Sequence, residues 1–372
     1  MFFFVFLTAF LLPNVYLFFR IRSLLDSRRQ RAIAVAMHVL VVLAFMVTEV
    51  LSHIVSPGRL RPLMIISYDS LPFLLYVFLI VLVFDFALGL NRFLKIVPQD
   101  TLRLPGARRT RLLLIICVPA AVVLGGSWRF SQITINHYQV QVPRKASPLG
   151  HLRIALASDF HLKELTDPDF MGQFVEKVNS TNADLLLIPG DILEGDRQDG
   201  QVDEFESGFR KIRTRYGTYV TLGNHEFYGR RTRTDFFEKS SMVVLRDTVL
   251  IIGNAFALIG RQDAHFDRRK PIAELMRAAP DSLPTIVLDQ RPTEMYQVSA
   301  TGADILVSGH THDGQLFPIN LITGQIYGLS WGYRLIGKTN VFVTSGVQLW
   351  GPPVRTAGDS EIMLIDVDLV SG

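Results

Sequence analysis

Cysteine is almost absent from this chain: there is one, Cys117, and it lies in an apolar run. No intrachain disulfide can form, and metal sites built from several thiolates are excluded. Cysteine usage therefore says nothing about redox compartment, and location has to be read from topology. Acidic residues are scarce in the first third. Residues 1–111 hold 5 Asp and Glu against 13 Lys and Arg, while residues 112–372 hold 29 against 25, so the two parts carry +8 and −4 and together make the net +4. A nucleic-acid groove needs its positive charge on a folded polar surface, whereas here it is interleaved with apolar runs. Nucleic-acid binding is not expected, and the inner face of a lipid bilayer is. Nothing in the pattern speaks to oligomeric state.

Residues 1–19, 32–55, 71–90 and 112–128 are predominantly apolar and of the length that crosses a hydrocarbon core, about 17–25 residues as helix. They predict about four transmembrane helices over residues 1–128. The first has no basic stretch before it and no small-residue cleavage site after it, so a retained helix is expected instead of a removed signal peptide. The last carries no charge at all, with Pro119 and Gly125-Gly126 placed to kink it. Arginine and lysine are concentrated after the first run (Arg20, Arg22, Arg28, Arg29, Arg31) and after the third (Arg92, Lys95, Arg103, Arg108, Arg109, Arg111), with only Arg59 and Arg61 after the second. By the positive-inside rule the two rich loops are cytoplasmic, and everything beyond the fourth span is periplasmic or extracytoplasmic. His38, Glu49, His53 and Asp85 sit in or near the spans, where ionisable groups pair inside the bundle or serve a function.

Residues 129–150 read as one exposed or edge strand, the alternating stretch 133–142, leading into a linker. From 151 to 372 short apolar runs alternate with segments of helical spacing such as Phe170, Phe174, Val175 and Val178, which predicts a layered α/β domain. The runs stop at polar residues: Asp159-Phe160-His161 after 152–158, Gly190-Asp191 after 183–189, Gly223-Asn224-His225-Glu226 after 217–222, and Gly309-His310-Thr311-His312 after 303–308. Two histidines one residue apart are as compatible with an ordinary polar turn as with a metal. Four strand ends carrying carboxylate, amide and imidazole groups are what two divalent transition ions need, Mn, Fe or Zn suiting such mixed donors.

In their order, these four motifs resemble the calcineurin-like metallophosphoesterase family, in its membrane-anchored bacterial branch, over about residues 150–370. The resemblance implies a four-layer α/β/β/α sandwich of two mixed sheets. It implies that Asp159, His161 and His312 bind one metal, that Asn224 and His310 bind the other, and that Asp191 bridges them. A hydroxide shared by the two ions would then attack phosphorus in line, and His225 would protonate the leaving oxygen or stabilise its charge. One position departs. Where the family has a histidine two residues before a proline, this chain has Gln290, an amide and a weaker donor, so the second site is expected to be weakened. His265 is an alternative source of that imidazole. Arg355, in the Gly-Pro-rich segment 346–355, is either a phosphate contact or part of a structural turn, and Arg230, Arg231 and Arg233 are either a solvated loop or contacts for an anionic substrate.

The expectation is a membrane-tethered, metal-dependent phosphoesterase of the plasma (inner) membrane acting on a phosphodiester, phosphomonoester or pyrophosphate. Its tether points to a lipid-linked substrate. A pyrophosphatase of a nucleotide-linked acylated sugar, which would require a cytoplasmic site, and a non-catalytic membrane metal sensor or scaffold are the alternatives.

Overall fold

The computed structural model describes residues 2–52, 55, 57–163, 166–194, 202–228, 234–266 and 268–371. It divides into two units, residues 1–128 with 351–354, and residues 129–350 with 355–372.

The first unit is helical: α1 (Phe2–Leu24), α2 (Arg28–Ser52), α3 (Pro57–Leu94), the short α4 (Gln99–Arg103) and α5 (Pro105–Phe130). Among the described residues three of these are long and apolar enough to cross a membrane, within 28–48, 59–94 and 105–130. The first expected span, 1–19, falls partly on residues whose side chains lie outside the described set. The third is longer than its apolar run implied, because helix continues through Pro62 and Pro72. Leu17, Leu74, Val77, Val81 and Ile115 form its buried core. Asp85 on α3 is paired with Arg20 and Tyr16 on α1, and His38 shares a hydrogen bond of 3.1 Å with the Asn14 carbonyl. Both fit the rule that polar groups in a span find partners inside the bundle. Glu49 and His53 lie outside the described side chains.

The second unit opens with β1 (Ile133–Pro143), then β2 (His151–Leu156), α6 (Phe170–Ser180), β3 (Leu185–Pro189), α7 (Val202–Phe209), β4 (Thr218–Thr221), α8 (Thr234–Lys239) and β5 (Met242–Leu245). It continues with β6 (Thr248–Ile252), β7 (Phe256–Gly260), α9 (Ile272–Ala278), β8 (Thr285–Leu288), α10 (Met295–Ala300), β9 (Ile305–Ser308), α11 (Ile319–Tyr327), β10 (Gly332–Ile336), β11 (Thr339–Val343) and β12 (Ser360–Val370). Two six-stranded mixed sheets result, in the orders β1-β12-β2-β3-β4-β5 and β10-β11-β9-β8-β7-β6.

Side-chain alternation explains the layers. Along β3, Leu186 and Ile188 pack under α6 and α7 with Phe174 and Phe209. Leu185 and Leu187 face the other way and meet Leu258, Ile286 and Val307 of the second sheet. Along β7, Ala257 and Ile259 turn to α9 and α10 with Leu275 and Val298. Strands buried on both faces read as unbroken apolar runs, which is why 185–188 and 305–307 carry no polar residue. Three cores between four layers are the expected α/β/β/α sandwich.

The expected edge strand within 129–150 belongs to the first sheet. Residues 133–143 pair in parallel with β12 from Ile133↔Ser360 to Pro143↔Val370. As an edge strand β1 buries Ile133, Val140 and Val142, with polar residues between them. Only two residues separate the end of α5 at Phe130 from the start of β1 at Ile133.

Candidate metal centre

β2, β3 and β4 are parallel neighbours in the first sheet, and β8 and β9 in the second. Asp159 and His161 follow β2, Asp191 follows β3, Asn224 and His225 follow β4, Gln290 follows β8, and His310 and His312 follow β9, so every one lies at a strand C-terminus. The chain turns sharply there. Asp159, His161, Asp191, His310 and His312 all have φ between 42° and 73°, a left-handed conformation that costs L-residues about 1–2 kcal/mol each and is least costly for Asp, Asn and His. Gly190, at φ 83°, cannot carry a side chain, since a Cβ would lie 2.6 Å from Gln290 Cγ. A Cβ on Gly223 would strike the Asp191 carboxylate.

Backbone hydrogen bonds knit the turns together. His161 N donates to Asp191 O (3.0 Å) and Gly309 N to Gln290 O (3.0 Å). His310 N donates to both carboxylate oxygens of Asp159 at 3.1 Å, which joins the two sheets at the centre.

Oxygen and nitrogen atoms of Asp159, His161 and His312 lie within 4.8 Å of one another, as do those of His161, Asp191 and His225. His161 Nε2 is 3.1 Å from His312 Nε2 and 3.9 Å from Asp159 Oδ1, and His312 Nε2 is 3.6 Å from the same oxygen. Burial holds His161 at about 4 and His310 at about 3, and it lowers His312 well below the ordinary imidazole range. It pushes Asp159 up to about 7, and Asp191 is raised well above the usual range by burial and then by the charges of Glu226 and Asp159. Neutral imidazoles and carboxylates that resist ionisation on their own are the mark of a site lacking positive charge, so the donors around Asp159 fit one divalent cation.

The second position fits less well. The Gln290 side-chain amide is buried at the centre, so this position does face the site. Its Nε2 donates to Asp191 Oδ2 at 2.6 Å and lies 2.8 Å from His310 Nδ1 and 3.5 Å from Asn224 Oδ1, while Oε1 is buried without a partner among the described residues. An N–H donor therefore meets the three groups expected to hold the second ion. Turning the amide over would set Oε1 against Asp191 Oδ2, which is repulsive until a cation stands between them.

Two carboxylates outside the expected ligand set are part of the site. Glu194 Oε1 is 2.6 Å from His161 Nδ1 and its Oε2 is 3.0 Å from His225 Nδ1, so one side chain orients both rings. Burial opposes its ionisation, but hydrogen bonds from the two histidines outweigh this and hold it well below the carboxylate range. Glu226 accepts four backbone N–H groups, from Asp191 (3.1 Å), Ile192 (2.5 Å), Leu193 (2.8 Å) and Gly223 (2.7 Å). His225 N donates to Asp191 Oδ1 at 3.0 Å, and Asn224 Nδ2 to Tyr228 Oη at 2.7 Å.

Arg355 is not a phosphate contact. It is fully buried, and its Nη2 donates to the carbonyls of Ser345, Gly346 and Gln348 at 2.7–2.9 Å. A guanidinium so enclosed clamps the loop that returns to β2, where Val347 N and Gln348 N donate to the Ser158 and Asp159 carbonyls. His265 is exposed, its ring 6.2 Å from Phe266, and makes no contact with the centre among the described residues. Arg230, Arg231 and Arg233 lie outside the described residues.

Residues 152–314 match the model of the calcineurin-like phosphoesterase family, and the chain carries a calcineurin-like phosphoesterase domain. An uncharacterized metallophosphoesterase of Helicobacter pylori is 32% identical over 219 residues, 57% of this chain and 58% of the relative. One from Campylobacter jejuni is 31% identical over 63% of each. The chain thus spans about three-fifths of these two bacterial relatives. A transmembrane protein with metallophosphoesterase domain from Danio rerio is 27% identical over 77% of this chain and 70% of that protein.

Because Asp159 must lose a proton that burial holds up to about pH 7, while the histidines are already neutral above about 4, metal uptake should release protons in acidic buffer. Apparent Mn2+ affinity of the full chain is expected to rise with pH and level off near neutrality. Calorimetric titration in two buffers of different ionisation enthalpy measures the released proton, and an affinity flat between about pH 5 and about pH 8 would contradict this donor set.

Proposed function

We propose that the chain is a membrane-tethered, metal-dependent phosphoesterase that hydrolyses a phosphodiester, phosphomonoester or pyrophosphate, with its second unit on the extracytoplasmic face of the plasma membrane. The observation that carries the reading is two clusters of donor atoms that share His161, Asp159 with His161 and His312, and His161 with Asp191 and His225, each within 4.8 Å, with His225 also held by an ionised carboxylate, Glu194. Bound divalent cations would supply Lewis-acid activation of the phosphoryl oxygens and of attacking water. The chain's own part is acid–base and positional. Glu194 occupies Nδ1 of His225, leaving Nε2 to hand a proton to the leaving oxygen, and the same carboxylate fixes the ring of His161. The helical anchor supports a lipid-linked phosphate as substrate.

His225→Ala is expected to lower kcat by about 10²–10⁴-fold with metal content unchanged, and Asp191→Asn to remove both turnover and bound metal while thermal unfolding moves little. Hydrolysis of a chromogenic phosphodiester together with elemental analysis reads both variants. Asp191→Asn activity within about tenfold of the parent would rule out its place between the cations.

The amide nitrogen of Gln290 among Asp191, Asn224 and His310 supports a centre whose second position binds metal weakly. Gln290→His should then raise the metal-to-protein ratio, since imidazole binds Mn, Fe or Zn more strongly than an amide. An unchanged ratio at a metal concentration that only partly fills the parent's second position would sink that account. Orientation has its own test: a reporter active only outside the cytoplasm, fused after Gly372, should be active, and a cytoplasmic readout would reverse the arginine-loop assignment and favour the nucleotide-linked substrate.

A further inference from the structure

α11 is a nine-residue helix with no buried residue. Leu321, Ile322 and Ile326 are 59%, 61% and 70% exposed, and Ile319 is also open. The edge strand that follows, β10, exposes Tyr333 and Leu335, and Trp331 just before it is 37% exposed although its indole N–H is pinned to the buried Glu361 at 2.8 Å. Large apolar side chains left exposed on two successive elements of a folded unit mark an interaction site. Its charge is one-signed as well. Residues 314–338 contain no Asp or Glu and carry Arg334 and Lys338.

We propose that α11 and β10 form a bilayer-contacting face, in which the apolar side chains enter the boundary between headgroups and acyl chains of an anionic membrane and Arg334 and Lys338 meet lipid phosphates. Three observations favour lipid over a second copy of the chain. The basic residues have no acidic partner within the segment, so a symmetric pairing of the same face would set like charges together, whereas anionic headgroups supply the missing sign. Trp and Tyr beside aliphatic residues are the composition of a membrane interface. The proposal rests on the membrane-anchored reading: α5 ends at Phe130 and β1 starts at Ile133, which keeps a bilayer within reach of this unit. The face also adjoins the centre. Tyr327 at the end of α11 lies with its ring 5.9 Å from that of His310, so an amphiphilic phosphoester held at the headgroup level would be delivered beside the candidate ligands.

The test uses the full chain in phosphatidylcholine nanodiscs containing phosphatidylglycerol, with Cys117→Ser removing the native thiol and Ile322→Cys or Ile326→Cys carrying a nitroxide. Relaxation by oxygen is expected to exceed relaxation by a water-soluble nickel chelate several-fold at both positions. The excess should shrink when Arg334→Glu and Lys338→Glu are combined, and that change should vanish on purely zwitterionic lipid. Dominant nickel relaxation, protection from both agents, or dipolar broadening between labels of two copies would each overturn the proposal. Hydrolysis of a small water-soluble phosphodiester is measured on the same samples. If it persists while the depth signal is absent, the membrane face is wrong and the phosphoesterase reading stands.

Discussion

The centre depends on the carboxylate of Glu226, which accepts four backbone N–H groups from two loops. These bonds set the strand ends after β3 and β4 against each other and thereby bring Asp191 beside Asn224 and His225. Without that acceptor, four N–H groups would be left without it in a region closed to water, at a cost of about 1–3 kcal/mol for each left unsatisfied. The carboxylate itself is buried, and burial raises its proton affinity while the same N–H donors work in the opposite direction. Asp159, Asp191 and Glu226, all 2% exposed or less, gather negative charge in a dry place. Such a gathering is tolerable when a cation completes it and costly otherwise.

Strain is concentrated at the same place. Five expected ligands sit in left-handed backbone, and each is preceded by a strand locked between two apolar layers. The parallel strands β2, β3 and β9 over-determine where the chain must turn, and the turn in turn aims the side chain. Residues in sparsely populated conformations persist only where surrounding structure enforces them, and here the enforcing structure is the pair of sheets. Stability of the sandwich and geometry of the centre are therefore one property.

Much of this was legible in the sequence. Apolar runs that stop abruptly at Asp, Asn or His marked the strand ends, and the two-sided burial of the strands explains why the runs are unbroken. Glu194 was not legible, because it earns its place only when the loops after β3 and β4 meet, and no spacing within 190–194 encodes that meeting. Glu226 was visible in its motif, but its role is made of backbone contacts, which leave no trace in side-chain pattern. Arg355 shows the converse: an arginine beside glycines and prolines near a phosphate site reads the same whether it meets substrate or three carbonyls, and only burial separates the two. The edge strand at 133–142 was legible from its alternation, but its partner was not, since β12 lies more than 200 residues further on.

The pairing of β1 with β12 has a consequence for the order in which this protein folds. Ile133 follows almost directly on the last apolar helix, yet its partner is Ser360, and β12 is in turn the strand that separates β1 from β2 in the sheet. The block β2-β3-β4-β5 can assemble from consecutive segments, but β1 has no edge to join until residues 360–370 have been made and laid against β2. Contacts of such sequence separation form late and slow folding. β1 is therefore the last strand of the first sheet to dock, and that edge of the sandwich stays open until β12 has been laid down.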